Sequence, residues 1–385
     1  MLFKDKDKLS PRYIPQNLPH REEQIKWLKE LTFDSLRNPK EARLRVMLAL
    51  GGVGTGKTVT ALRFGEIFKE DAKRRGVALD LAYLNPKVHG GSRLILYRYL
   101  AKQVAKKIFS LSLSAEELLL ETLNLLSEEN RYLFIIFDEL DYFLRHSKES
   151  LIYDFTRLNE ISPLGNVNVL GILFITRSLE FKKRLDKAEV STLGSFTIKF
   201  PSYNSSQIFD ILSERRDEAF KRGVVGDDVL DAISDISAKP PVNGDVRYAL
   251  DLLLYAGTYA EIQGSEKVML DHLRKVVGSL HYSITTEDIM SLSNGGKLSL
   301  LALARALKVN KSLYVGLSDI RKMSSLVYEE YGVKPKEELE DSLQDLADRN
   351  LIEIKSLRAI GIVGMHIDGL ESLLDGLIRR IEESK

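Results

Sequence analysis

The segment Gly51-Gly52-Val53-Gly54-Thr55-Gly56-Lys57-Thr58 constrains the fold of this chain more than any other. It fits G-x-x-x-x-G-K-[ST], a loop whose backbone N–H groups converge on phosphate oxygens. Glycines suit such a loop because a Cβ would obstruct that close approach. The apolar run Val46–Leu50 before it reads as a short strand buried on both faces. A helical pattern from Lys57 to about Glu70 follows. This strand–loop–helix unit brings a helix N-terminus, which favours an anion, to the phosphates. In the pattern Lys57 neutralises the β- and γ-phosphates and the Thr58 hydroxyl ligates magnesium. ATP or ADP with Mg2+ is the expected ligand, against the blander reading of a glycine-rich turn that binds nothing.

The second half of such a site is an acidic residue at the end of another parallel strand. Leu133–Phe137 is wholly apolar and runs into Asp138-Glu139. A buried parallel strand delivers its C-terminal residues to the ligand edge of the sheet. Asp138 is therefore expected at the magnesium, directly or through water, and Glu139 as the group that orients and activates the attacking water. Alone, an acidic pair after a strand is more often an exposed loop. The glycine loop upstream reverses that weighting.

Around these motifs the chain alternates strand and helix to about residue 200. Strands are expected at Leu79–Leu84, Val169–Ile175 and Ser195–Phe200, and helices at Ser92–Phe109, Leu118–Ser127 and Ser150–Leu158. That alternation predicts a parallel sheet between helices. Residues 1–20, punctuated by Pro11, Pro15 and Pro19, read as an extended arm. After Pro201 the strands stop, and Ser206–Arg222, Asp227–Ser237 and Asp245–Gln263 read as helices opened by Ser or Asp. Gly295 and Gly296 read as the next boundary. Helices at 298–308, 318–331 and 336–349, strands at Leu351–Ser356 and Ile362–Ile367 and a last helix then give a winged-helix plan. The expected domains are 1–200 for nucleotide, 201–285 as an all-helical lid, and 286–385 as the winged helix.

With 385 residues, two or three domains are the natural count. Net charge is +1, so any DNA contact must come from local patches. There is no cysteine, which excludes disulfides and thiolate metal sites, and six scattered histidines make no zinc cluster. No apolar run approaches a membrane span, and MLFKDKDKLS lacks a signal-peptide core. A cytoplasmic protein without a membrane partner is expected.

The arrangement resembles the archaeal origin-recognition and cell-division-cycle initiators of DNA replication, AAA+ ATPases with a C-terminal winged helix. Tyr13-Ile14-Pro15 with Leu18-Pro19-His20-Arg21-Glu22 is similar to the family's N-terminal segment near the adenine. Phe200-Pro201-Ser202-Tyr203 resembles its hinge into the lid, and Gly244-Asp245-Val246-Arg247-Tyr248-Ala249-Leu250-Asp251 its second-sensor helix. The resemblance covers nearly the whole chain. It implies nucleotide contacts from Tyr13, Ile14, Gly52, Val53, Gly54, Thr55, Gly56, Lys57, Thr58, Val59 and Tyr203. It also implies an Arg247 that reaches the γ-phosphate and reports ATP against ADP. Double-stranded origin DNA, the replicative helicase and paralogous initiator subunits are the implied partners.

Two departures from the family bear on rate. Arg177 stands where the first sensor is usually a polar residue such as Asn, and Ala188 stands at the place of an arginine that acts on a neighbour's ATP. An operating arginine finger contributes on the order of 10³–10⁵ in rate, so slow hydrolysis is expected. For DNA, the segment 85–93 matches a family element that grips or distorts the duplex, which nominates Lys87 and Arg93. In the winged helix Lys334, Lys336, Lys355 and Arg358 form a candidate basic edge. Against this, residues 286–385 carry 14 Lys and Arg and 17 Asp and Glu, and the stretch Lys336–Asp341 is acidic. An acidic helix sits poorly in a groove lined by phosphates. The competing reading is a clamp-loader-like or regulatory AAA+ ATPase whose C-terminal domain binds protein.

Overall fold

The computed structural model describes residues 1–105, 112–147, 151–158, 167–179, 196–240, 242–279, 292–310, 314–333, 338–349, 351–362 and 367–382, with the single positions 185, 190, 193, 289 and 312. Residue contacts divide the chain into two compact units, Met1–Ala238 with Asn243–Leu254, and Lys239–Val242 with Tyr255–Lys385. Among the described residues no helix is long and apolar enough to cross a membrane.

The first unit is built on five parallel strands: β1 (Arg45–Leu50), β2 (Leu79–Leu84), β3 (Tyr132–Phe137), β4 (Val169–Thr176) and β5 (Thr197–Lys199). Their order is β2-β3-β4-β1-β5. Every residue of β3 and β4 is buried, as central strands covered on both faces must be. The period of two then divides their side chains between two cores. Leu133, Ile135, Phe137, Ile172 and Phe174 face one, with Leu48 of β1. Met47, Ala49, Phe134, Ile136, Leu173 and Ile175 face the other.

The second core is covered by α1 (Glu22–Thr32) and α2 (Lys57–Arg74). Phe64 and Phe68 of α2, one turn apart, stack at 5.5 Å and meet Phe134 edge-on at 5.5 and 5.4 Å. Each fully buried Phe contributes roughly 1.5–3 kcal/mol of transfer free energy. The first core is covered by α4 (Arg93–Val104), α5 (Ala115–Glu128), α6 (Leu140–His146) and α7 (Leu151–Thr156). A one-turn helix, α3 (Pro86–His89), precedes α4 and is capped by the Asn85 side chain, which accepts from Lys87 N. Two more helices, α8 (Ser205–Ala219) and α9 (Asp227–Ala238), follow the sheet. The N-terminal arm is strapped to the end of α8. Leu2 and Phe3 are buried, Phe3 lies 4.3 Å from the Phe220 ring, and Lys4 N donates to Ala219 O.

The unit boundary falls within α10 (Val246–Ile262), between Leu254 and Tyr255, and α11 (Leu270–Ser279) follows it. In the second unit α12 (Asn294–Asn310) is the central helix. Leu298, Leu300, Leu301, Leu303 and Leu307 point to different sides of it, and all are buried. Around it pack α13 (Leu317–Glu330), α14 (Leu339–Asp348), the hairpin β6 (Ile352–Ser356)–β7 (Ala359–Ile362) and α15 (Ile367–Glu382). An isolated antiparallel bridge joins Val315 to Ile360 on the free side of the hairpin.

Several expectations are corrected. Gly295 and Gly296 are not a boundary but the first turn of α12. There the helix has few intrahelical donors to lose, and Ser293 Oγ accepts from Gly296 N at 3.0 Å. The third winged-helix helix opens at Leu339 rather than 336, and the second hairpin strand is Ala359–Ile362, with Ile367 already in α15. The helix expected over Ser92–Phe109 ends at Val104, and residues 106–111 lie outside the described residues. Helices α3, α6 and α11 were not expected.

Candidate nucleotide site

The loop Gly51–Gly56 leaves β1 and is shaped by two residues with positive φ, Gly54 (+65°) and Gly56 (+83°). Both also lack room for a side chain. A Cβ on Gly54 would lie 1.8 Å from Asp245 Oδ1, and one on Gly56 would lie 2.7 Å from the Tyr203 hydroxyl. The loop is pinned from behind by the buried Arg21. Its guanidinium donates to Thr55 O at 3.0 and 2.8 Å, to His20 O at 2.7 Å and to Pro201 O at 2.9 Å, and stacks 3.8 Å over the Tyr203 ring. A single cation thus ties the arm, the phosphate loop and the segment into α8.

Lys57, the first residue of α2, curls over the loop and donates to Gly51 O at 2.6 Å and Gly52 O at 2.5 Å. Burial, then the Arg177 charge, lower its pKa to about 8. Next to it Thr58 Oγ1 donates to Asp138 Oδ2 at 2.7 Å. The Asp138 carboxylate is buried and also accepts from the Tyr83 hydroxyl at 2.9 Å and from Glu139 N at 2.8 Å. Burial and the neighbouring Glu139 charge hold its pKa above the ordinary value. The Tyr83 phenol is also pushed up, by burial and then by Asp138, so it keeps its proton and donates. A hydroxyl and a carboxylate side by side are the hard oxygen pair that a magnesium ion takes when phosphates and water complete its shell.

Glu139 adopts left-handed backbone, φ +52°, and heads α6. Its carboxylate is paired with Arg177 Nη2 at 3.0 Å and Lys87 Nζ at 3.2 Å. Burial alone would raise its pKa, but Arg177 and Lys87 outweigh that and hold it at about 2. Thr176 Oγ1 donates to Asp141 Oδ1 at 3.3 Å, and Asp141 in turn pairs with Arg145.

Beside the loop lies a cavity of about 370 Å³, lined by Tyr13, Ile14, Gly54, Thr55, Gly56, Lys57, Thr58, Val59, Tyr203 and Arg247, all named from sequence. Tyr13 is held between Lys8 at 4.1 Å and Arg215 at 5.0 Å. Val53 lines a smaller cleft shared by Lys57, Thr58, Asp138, Glu139, Arg177 and Arg247. Arg247 N is held by Asp245 Oδ1 at 2.8 Å, and Val246 N donates to Gly54 O, so the start of α10 sits directly on the phosphate loop.

Family models match in two places: an AAA domain over residues 42–185 and a Cdc6 AAA+ ATPase-type lid domain over residues 209–277. Among curated proteins, the ORC1-type DNA replication protein 2 of Saccharolobus solfataricus is 34% identical over 341 residues, covering 87% of this chain and 82% of the relative. The chain belongs to the ORC1-type DNA replication protein family. Solved structures agree in fold. The Aeropyrum pernix ORC2 protein in ADPNP–ADP complexes aligns with a TM-score of 0.76 at 23% identity, covering all of both chains. The Aeropyrum pernix ORC1 protein in complex with DNA aligns at 0.73 and 24%, covering 99% of each chain. The AAA+ fold with helical lid and winged-helix C-terminal domain is thereby established for this ORC1-type chain.

The ORC1-type site also uses residues that sequence reasoning passed over. Arg21 was legible only as part of the N-terminal segment, since two of its three carbonyl partners, Thr55 and Pro201, come from remote stretches. Tyr83 had a usable signal: parallel pairing sets it across from Ile136, so it reaches the same sheet edge as Asp138. Ser10, Arg12, Leu18, Ile211, Arg215 and Leu250 also line the cavity, with Pro11, Pro19, Leu62 and Val246.

The DNA contacts fare differently. Lys87 is turned onto Glu139, and Arg93 is paired with Asp154 at 2.9 Å and with Glu116. These acidic partners lie far away in sequence, so two charges that read as loop-exposed are engaged within the first unit. Lys334 and Lys336 lie outside the described residues, as do 186–189 with the finger place Ala188. Lys355 donates to the Tyr314 hydroxyl at 2.5 Å and lies 3.5 Å from Glu353. Arg358, at the hairpin turn beside Leu357, is exposed.

Proposed function

We propose that this chain is a replication initiator that binds double-stranded origin DNA in a manner set by whether it holds ATP or ADP, and that it helps bring the replicative helicase to that DNA. The observation that carries the switch reading is the state of Glu139 inside an otherwise assembled phosphate site. Lys57 is the cation for the β- and γ-phosphates, and Arg247 faces the γ-phosphate from the lid. Thr58 and Asp138 would hold the magnesium ion, which when bound neutralises charge on the phosphate oxygens. Glu139 is the base that orients water, yet it is held by Arg177 and Lys87. A carboxylate with a pKa near 2 takes a proton poorly. Such a site binds ATP, turns it over slowly, and lets the bound nucleotide label the state of the protein.

The likeness to an ORC1 protein solved with DNA supports duplex binding. The contact assigned within the described residues is the β6–β7 hairpin with Arg358. The second reading, a C-terminal domain that binds protein, is favoured by α14, which carries Glu340, Asp341, Asp345 and Asp348 and no basic residue. Phosphate contacts and DNA shape therefore outweigh base readout in this proposal.

The test is fluorescence anisotropy of the full chain on origin and unrelated duplexes, with ATP or ADP, across a salt titration. Arg358→Ala is expected to weaken binding on both duplexes and to reduce the log–log salt slope by about one. Affinity indifferent to nucleotide rejects the switch. Affinity and slope indifferent to Arg358→Ala reject the hairpin contact and favour the protein-binding reading. Single-turnover hydrolysis should be slow and should vanish in Glu139→Gln with binding retained. Turnover on the order of 10 per second, ordinary for enzymes, would contradict the held base.

A further inference from the structure

The nucleotide-site carboxylates are held differently, and one of the groups that hold them has no role in the reading above. Asp138 Oδ1 accepts from Glu139 N, and Oδ2 accepts from both Thr58 Oγ1 and the Tyr83 hydroxyl. The phenol is itself oriented, because its oxygen accepts from Asn85 Nδ2 at 3.2 Å. Asn85 is fixed in turn: its side-chain oxygen accepts from Lys87 N, and its own N–H donates to His89 Nδ1, both at 3.0 Å. The His89 ring meets the Tyr83 ring edge-on, 6.1 Å between centroids. Tyr83 also lines the nucleotide cavity. A buried carboxylate beside one flexible hydroxyl can turn about its terminal torsion, which is broad and roughly two-fold. A further donor to Oδ2, from a fixed ring on the neighbouring parallel strand, removes that freedom.

We infer that Tyr83 is a positioning residue that sets the Asp138 carboxylate, and with it the Thr58 hydroxyl, in register for the divalent cation, with Asn85 anchoring the phenol to α3. The inference rests on the assignment of Thr58 and Asp138 as the cation-holding pair. Tyr83 itself touches neither cation nor phosphate in this scheme. It acts on the carboxylate by keeping Oδ2 toward Thr58.

A structural role and a positioning role separate in the cation dependence of binding. The experiment is calorimetric titration of ADP into the full chain with magnesium and again with EDTA. The quantity read is the ratio of the two affinities, the magnesium enhancement. Tyr83→Phe keeps the ring that lines the cavity and loses only the hydroxyl, so any loss of cation-free affinity should be clearly smaller than the loss with magnesium. The enhancement should fall about tenfold, the scale of one hydrogen bond to a charged group. Asn85→Ala, which loosens only the anchor, should lower the enhancement in the same sense and by less. Manganese binding to the ADP complex, followed by its paramagnetic signal, should weaken in the same order.

Thr58→Ala tells the two readings apart. If it abolishes the enhancement while Tyr83→Phe and Asn85→Ala leave it intact, Tyr83 has no positioning role and the inference is overturned. If Thr58→Ala leaves the enhancement intact, the cation site itself is misassigned. Loss of cation-free ADP affinity in Tyr83→Phe equal to the loss with magnesium marks Tyr83 as part of the cavity wall only, which also overturns the inference. Should Tyr83→Phe fail to fold, an unchanged enhancement in Asn85→Ala overturns it, and a reduced one supports it.

Discussion

Raising the pH should weaken nucleotide binding while making the nucleotide-free protein more stable, and both effects trace to Lys57. In the free chain this ammonium is buried, near Arg177 and Arg247, and its pKa is about 8 instead of the ordinary 10.5. Phosphate binds the charged form, so complex formation raises the pKa and takes up a proton. At pH 7.5 about three quarters of the free protein carries the charge, and at pH 9 about one tenth does, given that midpoint. Affinity for ATP should therefore fall by about eightfold between those pH values, about 1.3 kcal/mol. Stability moves the other way. Between about 8 and the ordinary lysine value the unfolded chain binds more protons at this residue than the folded chain, so the Lys57 contribution to folding stability rises with pH across that window. General alkaline damage would lower both quantities, which makes the opposed signs diagnostic. The assay is calorimetry of ATP binding with magnesium at pH 7.5, 8.25 and 9, in buffers of different ionisation enthalpy. Uptake of about half a proton is expected near pH 8. A Lys57→Ala protein should bind weakly with no such dependence. Constant affinity with no proton uptake across the range would refute the assignment of Lys57 as the phosphate-facing cation.

Arg21→Ala should cost about 2–4 kcal/mol in urea unfolding, because it leaves the buried Thr55 carbonyl and the part-buried Pro201 carbonyl without their donor; Arg21→Lys should recover only part, lacking the planar fork. Gly54→Ala places a Cβ 1.8 Å from Asp245 Oδ1 on left-handed backbone and should abolish ATP binding by filter assay, where unchanged affinity would contradict the loop geometry. Lys87→Ala removes one of the two cations on Glu139 and should speed single-turnover hydrolysis by roughly two- to tenfold, the scale expected when a catalytic base moves back toward its working range. The gain should disappear when Glu139→Gln is added.

What was readable in the sequence follows from how local each signal is. β3 and β4 are recognisable because central parallel strands must be apolar at every position, and the phosphate loop because its spacing and its strand–helix context are contiguous. Short elements carried too little pattern. α3 is a single turn held by Asn85, and α6 is opened by Glu139 in a left-handed conformation, neither of which leaves a helical period to count. Arg21 depends chiefly on Thr55 and Pro201 from other loops, so little near it in sequence marks its role, whereas Tyr83 is marked only by its register near the end of β2. For Lys87 and Arg93 it is the intramolecular partners that were illegible. Unpaired basic residues in a glycine-containing loop look solvated, and only the fold brings Glu139, Asp154 and Glu116 to them. Gly295 and Gly296 misled because glycine punctuates helix ends more often than it opens a central helix.

The two adjacent carboxylates are driven apart, Asp138 upward by burial and Glu139 down to about 2 by two cations. Environments that separate paired acids in this way assign them different work. Asp138 accepts from neutral hydroxyls, which leaves its charge for a cation. In the proposed reading Glu139, whose charge is engaged by Arg177 and Lys87, acts as base only when at least one of those contacts loosens. The two holds converge on one short segment. Asn85 reaches Asp138 through Tyr83, and Lys87, two residues on, reaches Glu139 directly. α3 follows the C-terminal end of β2, and Val88 within it is 74% exposed. A displacement of that one turn would therefore act on the cation-holding carboxylate and on the base together. No longer path through the core is needed, because each link is a hydrogen bond or an ion pair between side chains already in contact.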